Sequence, residues 1–307
     1  MAPMIYLRPR PASSTMITVI DLAFPPDGSE CDVGLRFTQR DFDLFAQLSG
    51  DTNPIHVDPT FAAATRFGHT VAHGMLLFAT ANASINRWIG GWLNLHEQQL
   101  VFPAPTFAGE HVSLHLTLRP DQDKRRKRIE MAFVTSSGET CTGQALVGFD
   151  DLARHRSPLP VVPTEAVQFK GLRIGARAER IRLLGSGEVQ TFVDLTNDPH
   201  PAYAGSRPIV PPALLGGAIS DILGVSLPGP GSNWLKQTYR FQRQVRTDEE
   251  IRASVEISRL RPAKHLVNLQ TDLDIDAEPA VSGEALLLVS DVADRSGGIP
   301  PGPDEGA

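Results

Sequence analysis

The chain repeats one pattern twice, and that duplication limits its fold more than any other feature of its 307 residues. The segment Phe45-Ala46-Gln47-Leu48-Ser49-Gly50-Asp51-Thr52-Asn53-Pro54 precedes an apolar run that opens at Gly74. A second segment, Phe192-Val193-Asp194-Leu195-Thr196-Asn197-Asp198-Pro199-His200-Pro201, precedes another apolar run from Pro212 to Ile219. Strand-like stretches follow each run: 112–118, 129–135 and 143–149 in the first half, then 251–257, 266–273 and 283–289 in the second. They alternate or stay apolar over lengths that suit strands. The run from Met75 to Ile89 is apolar nearly all round, as a helix enclosed by a sheet must be, and Gly90-Gly91 ends it. A helix plus antiparallel strands, given twice, predicts an α+β fold in which each half wraps a sheet around its own helix.

Two shorter helices are expected ahead of the first long one. Thr38 and Asp41 form a capping box for the segment carrying Phe42, Phe45 and Leu48, and Asp58-Pro59 supplies an N-cap and an N1 proline. The expected boundaries are a flexible N-terminus at 1–16, a first unit at 17–150 and a Pro-rich linker at 151–165. A second unit at 166–290 and a Gly/Pro-rich disordered tail at 291–307 complete the chain.

Asp51, Asn53 and His56 fall within one short turn pinned by Pro54, and His73-Gly74 follows at the start of the long helix. Aspartate and histidine are the groups that move protons to and from water near neutral pH. A glycine opening a helix offers a bare N–H to an oxyanion. Composition narrows the partners. A net charge of −6 argues against bulk nucleic-acid binding, which draws its affinity from phosphate neutralisation. Cys31 and Cys141 are the only cysteines, so neither a disulfide framework nor a thiolate metal site is expected, and a reducing, cytoplasmic compartment fits. No apolar run approaches the ~20 residues needed to span a bilayer.

The motif Asp51-Thr52-Asn53-Pro54-Ile55-His56 with Ala72-His73-Gly74 resembles the MaoC-like, R-specific enoyl-CoA hydratases and dehydratases of the hot-dog fold. The resemblance covers roughly residues 30–150, and more loosely the second half as a degenerate copy. It implies a double hot dog, and addition of water across a trans-2-enoyl thioester of CoA or acyl carrier protein to give a (3R)-hydroxyacyl thioester, or the reverse. It also implies that Asp51 and His56 hold the water, that Asn53 orients the site, and that the Gly74 N–H receives the thioester oxygen. No metal and no redox cofactor is called for. A homodimer of the two-half unit is left open.

The second half departs from the pattern. Asp198 stands where Asp51 does, but His200 replaces Asn53, Tyr203 replaces His56, and Pro212, with no N–H, replaces Gly74. That half is read as a scaffold that forms part of the acyl-binding cavity. His73 is assigned to substrate binding as the residue that positions the turn. The basic run Lys124-Arg125-Arg126-Lys127-Arg128 is by default a solvated hairpin tip. Its functional reading makes Arg125, Arg126 and Arg128 a clamp for the substrate's phosphates. A non-catalytic acyl-CoA-binding hot dog and a hot-dog thioesterase are the competing readings.

Overall fold

The computed structural model describes residues 24–152 and 168–294. The expected N-terminal segment 1–16, most of the linker 151–165 and most of the tail 291–307 lie outside the described residues.

The first half runs β1 (Glu30–Leu35), α1 (Gln39–Ser49), α2 (Pro54–Val57), α3 (Pro59–Ala63) and α4 (Gly74–Ile89). Four strands follow: β2 (Asn94–Val101), β3 (Val112–Pro120), β4 (Arg126–Thr135) and β5 (Gly138–Gly148). A small ribbon, β6 (Gln168–Phe169) with β7 (Leu172–Arg173), opens the second half. Then come β8 (Arg177–Leu183), α5 (Ser186–Thr196), α6 (Pro212–Asp221), β9 (Asn233–Phe241), β10 (Glu250–Arg261), β11 (Leu266–Ile275) and β12 (Glu278–Leu288). A π-helical turn, Ile222–Ser226, continues α6.

Ten strands form one antiparallel sheet in the order β1-β3-β4-β5-β2-β9-β12-β11-β10-β8. That order reads the same from either end once β1 is matched with β8, β3 with β10 and β2 with β9. The two halves therefore meet at β2 and β9, which pair antiparallel from Glu97 opposite Arg240 to Val101 opposite Lys236. Each half-sheet curls around its helix. Every residue of α4 from Met75 to Asn86 is buried, as is every residue of α6 from Ala213 to Asp221. The two helices pack on each other within one continuous apolar core. This is the double hot-dog arrangement.

The joining strands β2 and β9 escape a hydropathy reading because each carries a buried glutamine. Gln98 donates its amide to Gln99 O (2.9 Å) and Gln144 O (3.2 Å), and Gln237 to Thr238 O (2.7 Å) and Thr271 Oγ1 (3.0 Å). A donor satisfied this way can sit in a core. The edge strands β1 and β8 are also missed, since they alternate exposed with half-buried residues and have no buried face. Charged residues are normal on sheet edges, where they discourage pairing with another chain.

Two arginines tie each half to the other's helix ends. Arg182 on β8 donates to Leu48 O (3.0 Å) and Ser49 O (2.9 Å) at the end of α1. Arg87 on α4 donates to Thr196 O (3.0 Å) and Asn197 O (2.8 Å) at the end of α5. Each cation satisfies carbonyls that the helix leaves unpaired and sits at the favourable end of its dipole. Gly50 is required on two counts. Its φ of 84° is left-handed, and a Cβ there would lie 2.1 Å from Arg182 Nη1.

A fragment holding residues 1–155 alone would expose the β2 edge and the face of α4 that packs on α6. It is expected to elute from size-exclusion chromatography as a self-associated or aggregated species. A soluble monomer would contradict this account of the seam.

Candidate active site

The segment that carries the site is built by three helix caps. Thr38 caps α1 through a capping box with Asp41, and α1 docks by burying Phe42 and Phe45. Past Gly50, the Asp51 N–H donates to Ser49 Oγ (3.1 Å) and Asp51 Oδ1 accepts from the Asn53 N–H (3.2 Å). Asn53 in turn caps α2, its Oδ1 accepting from the Ile55 N–H (3.3 Å), with Pro54 at the first helical position. Asp58 caps α3 through the N–H groups of Thr60 and Phe61. The chain is thus fixed by short-range polar bonds while its side chains turn toward a common point.

At that point His56 Nε2 lies 3.9 Å from Asp51 Oδ2. This is too long for a direct hydrogen bond, and a span that one shared oxygen bridges. The tautomer of His56 follows from its other nitrogen, which lies 2.8 Å from Val71 O. A carbonyl only accepts, so Nδ1 carries a proton, and in the neutral form of the ring Nε2 presents a lone pair beside Asp51. His73 is fully buried and stacks on His56 with ring centroids 3.8 Å apart. Its Nε2 donates to Asp51 O (3.0 Å), and burial holds its pKa well below the ordinary histidine range. A neutral His73 therefore braces the Asp51 backbone and backs the His56 ring from a fully buried place. It is not among the residues that line the adjoining cavity, where a substrate-binding residue was expected.

Ser220, on α6 of the second half, completes the site. Its hydroxyl donates to Asp51 Oδ2 at 2.5 Å, and both groups are buried. Three donors and charges thus surround the Asp51 carboxyl, yet burial dominates and raises its pKa above the usual carboxylate value. His56, Ser220 and the Asn53 N–H oppose that rise. Asp221, next along α6, is also raised by burial, with Arg180 opposing and the Asp51 charge adding to the rise. Nothing in the first-half motif pointed to Ser220. It lies outside the repeated turn, on the helix of the half that lacks the motif.

A cavity of about 860 Å³ opens onto these groups. That is within the usual size range of small-molecule sites. Asp51, Asn53, His56, Gly74 and Ser220 all line it, with Leu77, Phe102 and Leu223 among the apolar walls. Gly74 is the first residue of α4, so its N–H has no acceptor within the helix and lies at the positive end of the dipole. A Cβ on Gly74 would come within 2.6 Å of the Phe102 ring.

Asp51, His56 and His73 each bring a ligand atom to within 4.8 Å of the others, which raises the question of a metal. The stacked histidines argue against a ready-made centre. Their rings lie 27° from parallel with centroids 3.8 Å apart, whereas lone pairs lie in the ring planes and a zinc ion needs both nitrogens at ~2 Å.

The basic run is placed elsewhere. Arg126 and Arg128 are strand residues of β4, not a hairpin tip, and none of Arg125, Arg126 and Arg128 lines the cavity. Each already holds a carboxylate: Arg125 with Asp123 (2.7 Å), Arg126 with Asp150 (2.7 Å) and Arg128 with Asp121 (2.9 Å). Arg125 holds the Asp123 carboxyl down to about 2. The phosphate clamp expected there gives way to neutralised pairs that pin the β3–β4 turn. Among the described residues, the Lys or Arg side chain that lines the cavity is Arg66, after α3.

The second-half turn has the same backbone scheme but no comparable opening. The His200 N–H donates to Asp198 Oδ1 (3.1 Å) and His200 Nδ1 accepts from the Ala202 N–H (3.2 Å), as Asn53 does in the first half. The space beside His200 and Tyr203 amounts to about 40 Å³. That is room for water and little else.

Comparison with known proteins agrees with this geometry. The MaoC like domain model matches residues 27–139. An (R)-specific enoyl-CoA hydratase of Aeromonas caviae is 34% identical over 123 residues, which are 39% of this chain and 92% of that protein. A 3-hydroxybutyryl-CoA dehydratase of Methylorubrum extorquens is 29% identical over 131 residues, or 39% of this chain and 83% of its own. Among solved structures, a MaoC-like dehydratase superposes with a TM-score of 0.70 at 14% identity, over 86% of this chain and 98% of that one. A conserved hypothetical protein of Mycobacterium tuberculosis, described as a double hot dog, gives 0.64 at 13% identity over 86% and 96%. At such identities the two structures speak to the fold alone.

Replacing Ser220 with alanine removes a donor that favours the ionised form of Asp51. The Asp51 carboxyl, followed by carbon NMR, is expected to titrate at higher pH in Ser220→Ala than in the parent. An unchanged or lower midpoint would show that the hydroxyl does not act on that carboxylate.

Proposed function

Since the chain belongs to the MaoC-like domain family, we propose that it is a hydratase or dehydratase of acyl thioesters, interconverting trans-2-enoyl and (3R)-hydroxyacyl forms. The observation that carries this reading is the convergence of Asp51, His56 and the Gly74 N–H on one cavity. The reading is supported further by relatives named as an (R)-specific enoyl-CoA hydratase and a 3-hydroxybutyryl-CoA dehydratase.

In the hydration direction a water oxygen bridges Asp51 Oδ2 and His56 Nε2, the span noted above. The His56 lone pair and the Asp51 carboxylate draw a proton from it as the oxygen bonds to C3. The C2–C3 π electrons move into the thioester, and negative charge collects on its oxygen. The Gly74 N–H meets that charge at the start of α4. A donor of this kind contributes roughly 3–4 kcal/mol to the transition state. The proton held by the Asp51–His56 pair then goes to C2, so that one water is added in total and both groups regain their starting form. Burial assists the last step, because a carboxyl with a raised pKa can carry a proton for transfer. Asn53 and His73 touch no reacting atom in this scheme. They position Asp51 and His56.

The carrier end of the thioester is placed at the cavity mouth, where Arg66 lies 3.7 Å from Asp291 with both side chains half-exposed. The described residues lining the cavity include no other Lys or Arg, so this reading puts a carrier phosphate at Arg66. Exposed pairs of this kind are weak and exchange partners readily.

Incubation with crotonyl-CoA separates the three readings. A hydratase consumes the enoyl absorbance without releasing free CoA, a thioesterase releases CoA, and a binding protein does neither. Asp51→Asn and His56→Ala are each expected to lower kcat by ~10²–10⁴ with the fold retained, the usual scale for general acid–base groups. A single mutant with near-parental turnover would remove that residue from the chemistry. Arg66→Gln is expected to raise KM for the CoA thioester and leave kcat alone, while a pantetheine thioester without the nucleotide phosphates is unaffected. Equal effects on both substrates would place the phosphates elsewhere.

A further inference from the structure

The duplicated turn occurs in two states, and one position accounts for the difference. In the second half Asn86 Nδ2 donates to both oxygens of the Asp198 carboxylate, at 2.9 and 3.1 Å. Asn86 belongs to α4, the helix of the other half. Its counterpart on α6 is found by counting from the first helical residues, Gly74 and Pro212: 86 − 74 and 224 − 212 are both 12, which gives Gly224. Gly224 lies in the π-helical turn that continues α6 and lines the large cavity. A Cβ built on it would stand 2.7 Å from Asp51 Oδ1 and 3.3 Å from Asn53 Cβ. The side chain at this position therefore points at the carboxylate in both halves. Where it is asparagine the carboxylate is clamped, and the space of about 40 Å³ beside Asn86, His200 and Tyr203 is not lined by Asp198. Where it is glycine the carboxylate opens onto about 860 Å³.

We propose that the missing side chain at Gly224 keeps Asp51 open to substrate and water, and that Asn86 locks the equivalent Asp198 into a structural anchor. Gly224 is on this account a positioning residue that acts by leaving space. The inference rests on the reading of Asp51 as a proton-transfer group. The clamp also explains why the degenerate turn keeps its aspartate after losing histidine and the oxyanion donor. Asp198 retains a use, since it receives Asn86 from α4 and caps its own turn through the His200 N–H. Asp51 makes the matching bond to the Asn53 N–H, but its remaining partners are Ser220 Oγ and the more distant His56. Its Oδ1 is the edge that a side chain at 224 would cover.

The test is Gly224→Asn in the full chain, with Gly224→Ala as a smaller step. Thermal melting establishes which variants fold. Alanine has the higher helix propensity, so a folded Gly224→Ala with reduced turnover cannot be attributed to a weakened helix. Gly224→Asn is expected to lower kcat for enoyl-thioester hydration at least ~100-fold, with KM changed less than kcat, because an interaction at the reacting atoms is lost. Gly224→Ala is expected to fall between it and the parent. The Asp51 carboxyl, followed by carbon NMR, is expected to titrate at a different pH in Gly224→Asn than in the parent, because the new side chain covers its Oδ1 edge.

Folded Gly224→Asn or Gly224→Ala with parental kcat would overturn the proposal. So would a folded Gly224→Asn in which the Asp51 titration is unmoved. If Gly224→Asn does not fold, Gly224→Ala decides by its kcat. If the parent hydrates no enoyl thioester, the hydratase reading fails by itself, and the titration still decides whether residue 224 controls the Asp51 carboxylate.

Discussion

The hydrogen bond from Ser220 to Asp51 is the contact on which the rest of the site depends, because it crosses between the halves. Asp51 sits in a turn after α1, whereas Ser220 sits near the end of α6. Neither half alone can present a buried carboxylate with its partners satisfied. The sheet seam at β2 and β9, the packing of α4 on α6 and the bonds from Arg182 to the end of α1 all hold that pair in register. Leaving a buried carboxylate short of a donor costs more than a formed hydrogen bond contributes, so the seam and the site are coupled energetically.

Duplication explains the arrangement economically. The palindromic strand order places two equivalent turns against two equivalent helices, and each turn is completed by the helix of the opposite half. One of the two has become structural. There the clamp by Asn86, the side chains of His200 and Tyr203 and the proline at 212 consume the space and the donors that catalysis would use. The other keeps a carboxylate, an imidazole lone pair and a bare helix N-terminus around an open cavity. The second half thus supplies Ser220, Leu223 and Gly224 to the cavity of the first. It is part of the site as well as its support.

Much of this was legible in the sequence, for identifiable reasons. The repeat, the buried helix from Gly74, the capping box at Thr38 and the cap at Asp58 are local patterns with local causes, and the structure contains each of them. The cluster of Asp51, Asn53, His56, His73 and Gly74 was legible because its spacing is set by a short turn. What could not be read depends on contacts far apart in the chain. Ser220 meets Asp51 across 169 positions, and no periodicity reports such a meeting. The seam strands were hidden by Gln98 and Gln237, whose buried amides look polar in a hydropathy scan. The basic run invited a phosphate role through charge alone, whereas in the fold its arginines pair with Asp121, Asp123 and Asp150 away from the cavity.

The proposed reaction depends on where an acyl thioester lies in the cavity. A crystal structure with a bound 3-hydroxyacyl thioester would test that most directly. The predicted complex has the thioester oxygen within hydrogen-bonding distance of the Gly74 N–H and the C3 hydroxyl between Asp51 Oδ2 and His56 Nε2, with the carrier leaving past Arg66. A ligand bound in the cavity with its thioester oxygen away from Gly74, or with C3 out of reach of both Asp51 and His56, would contradict the assignment of these residues to the reaction.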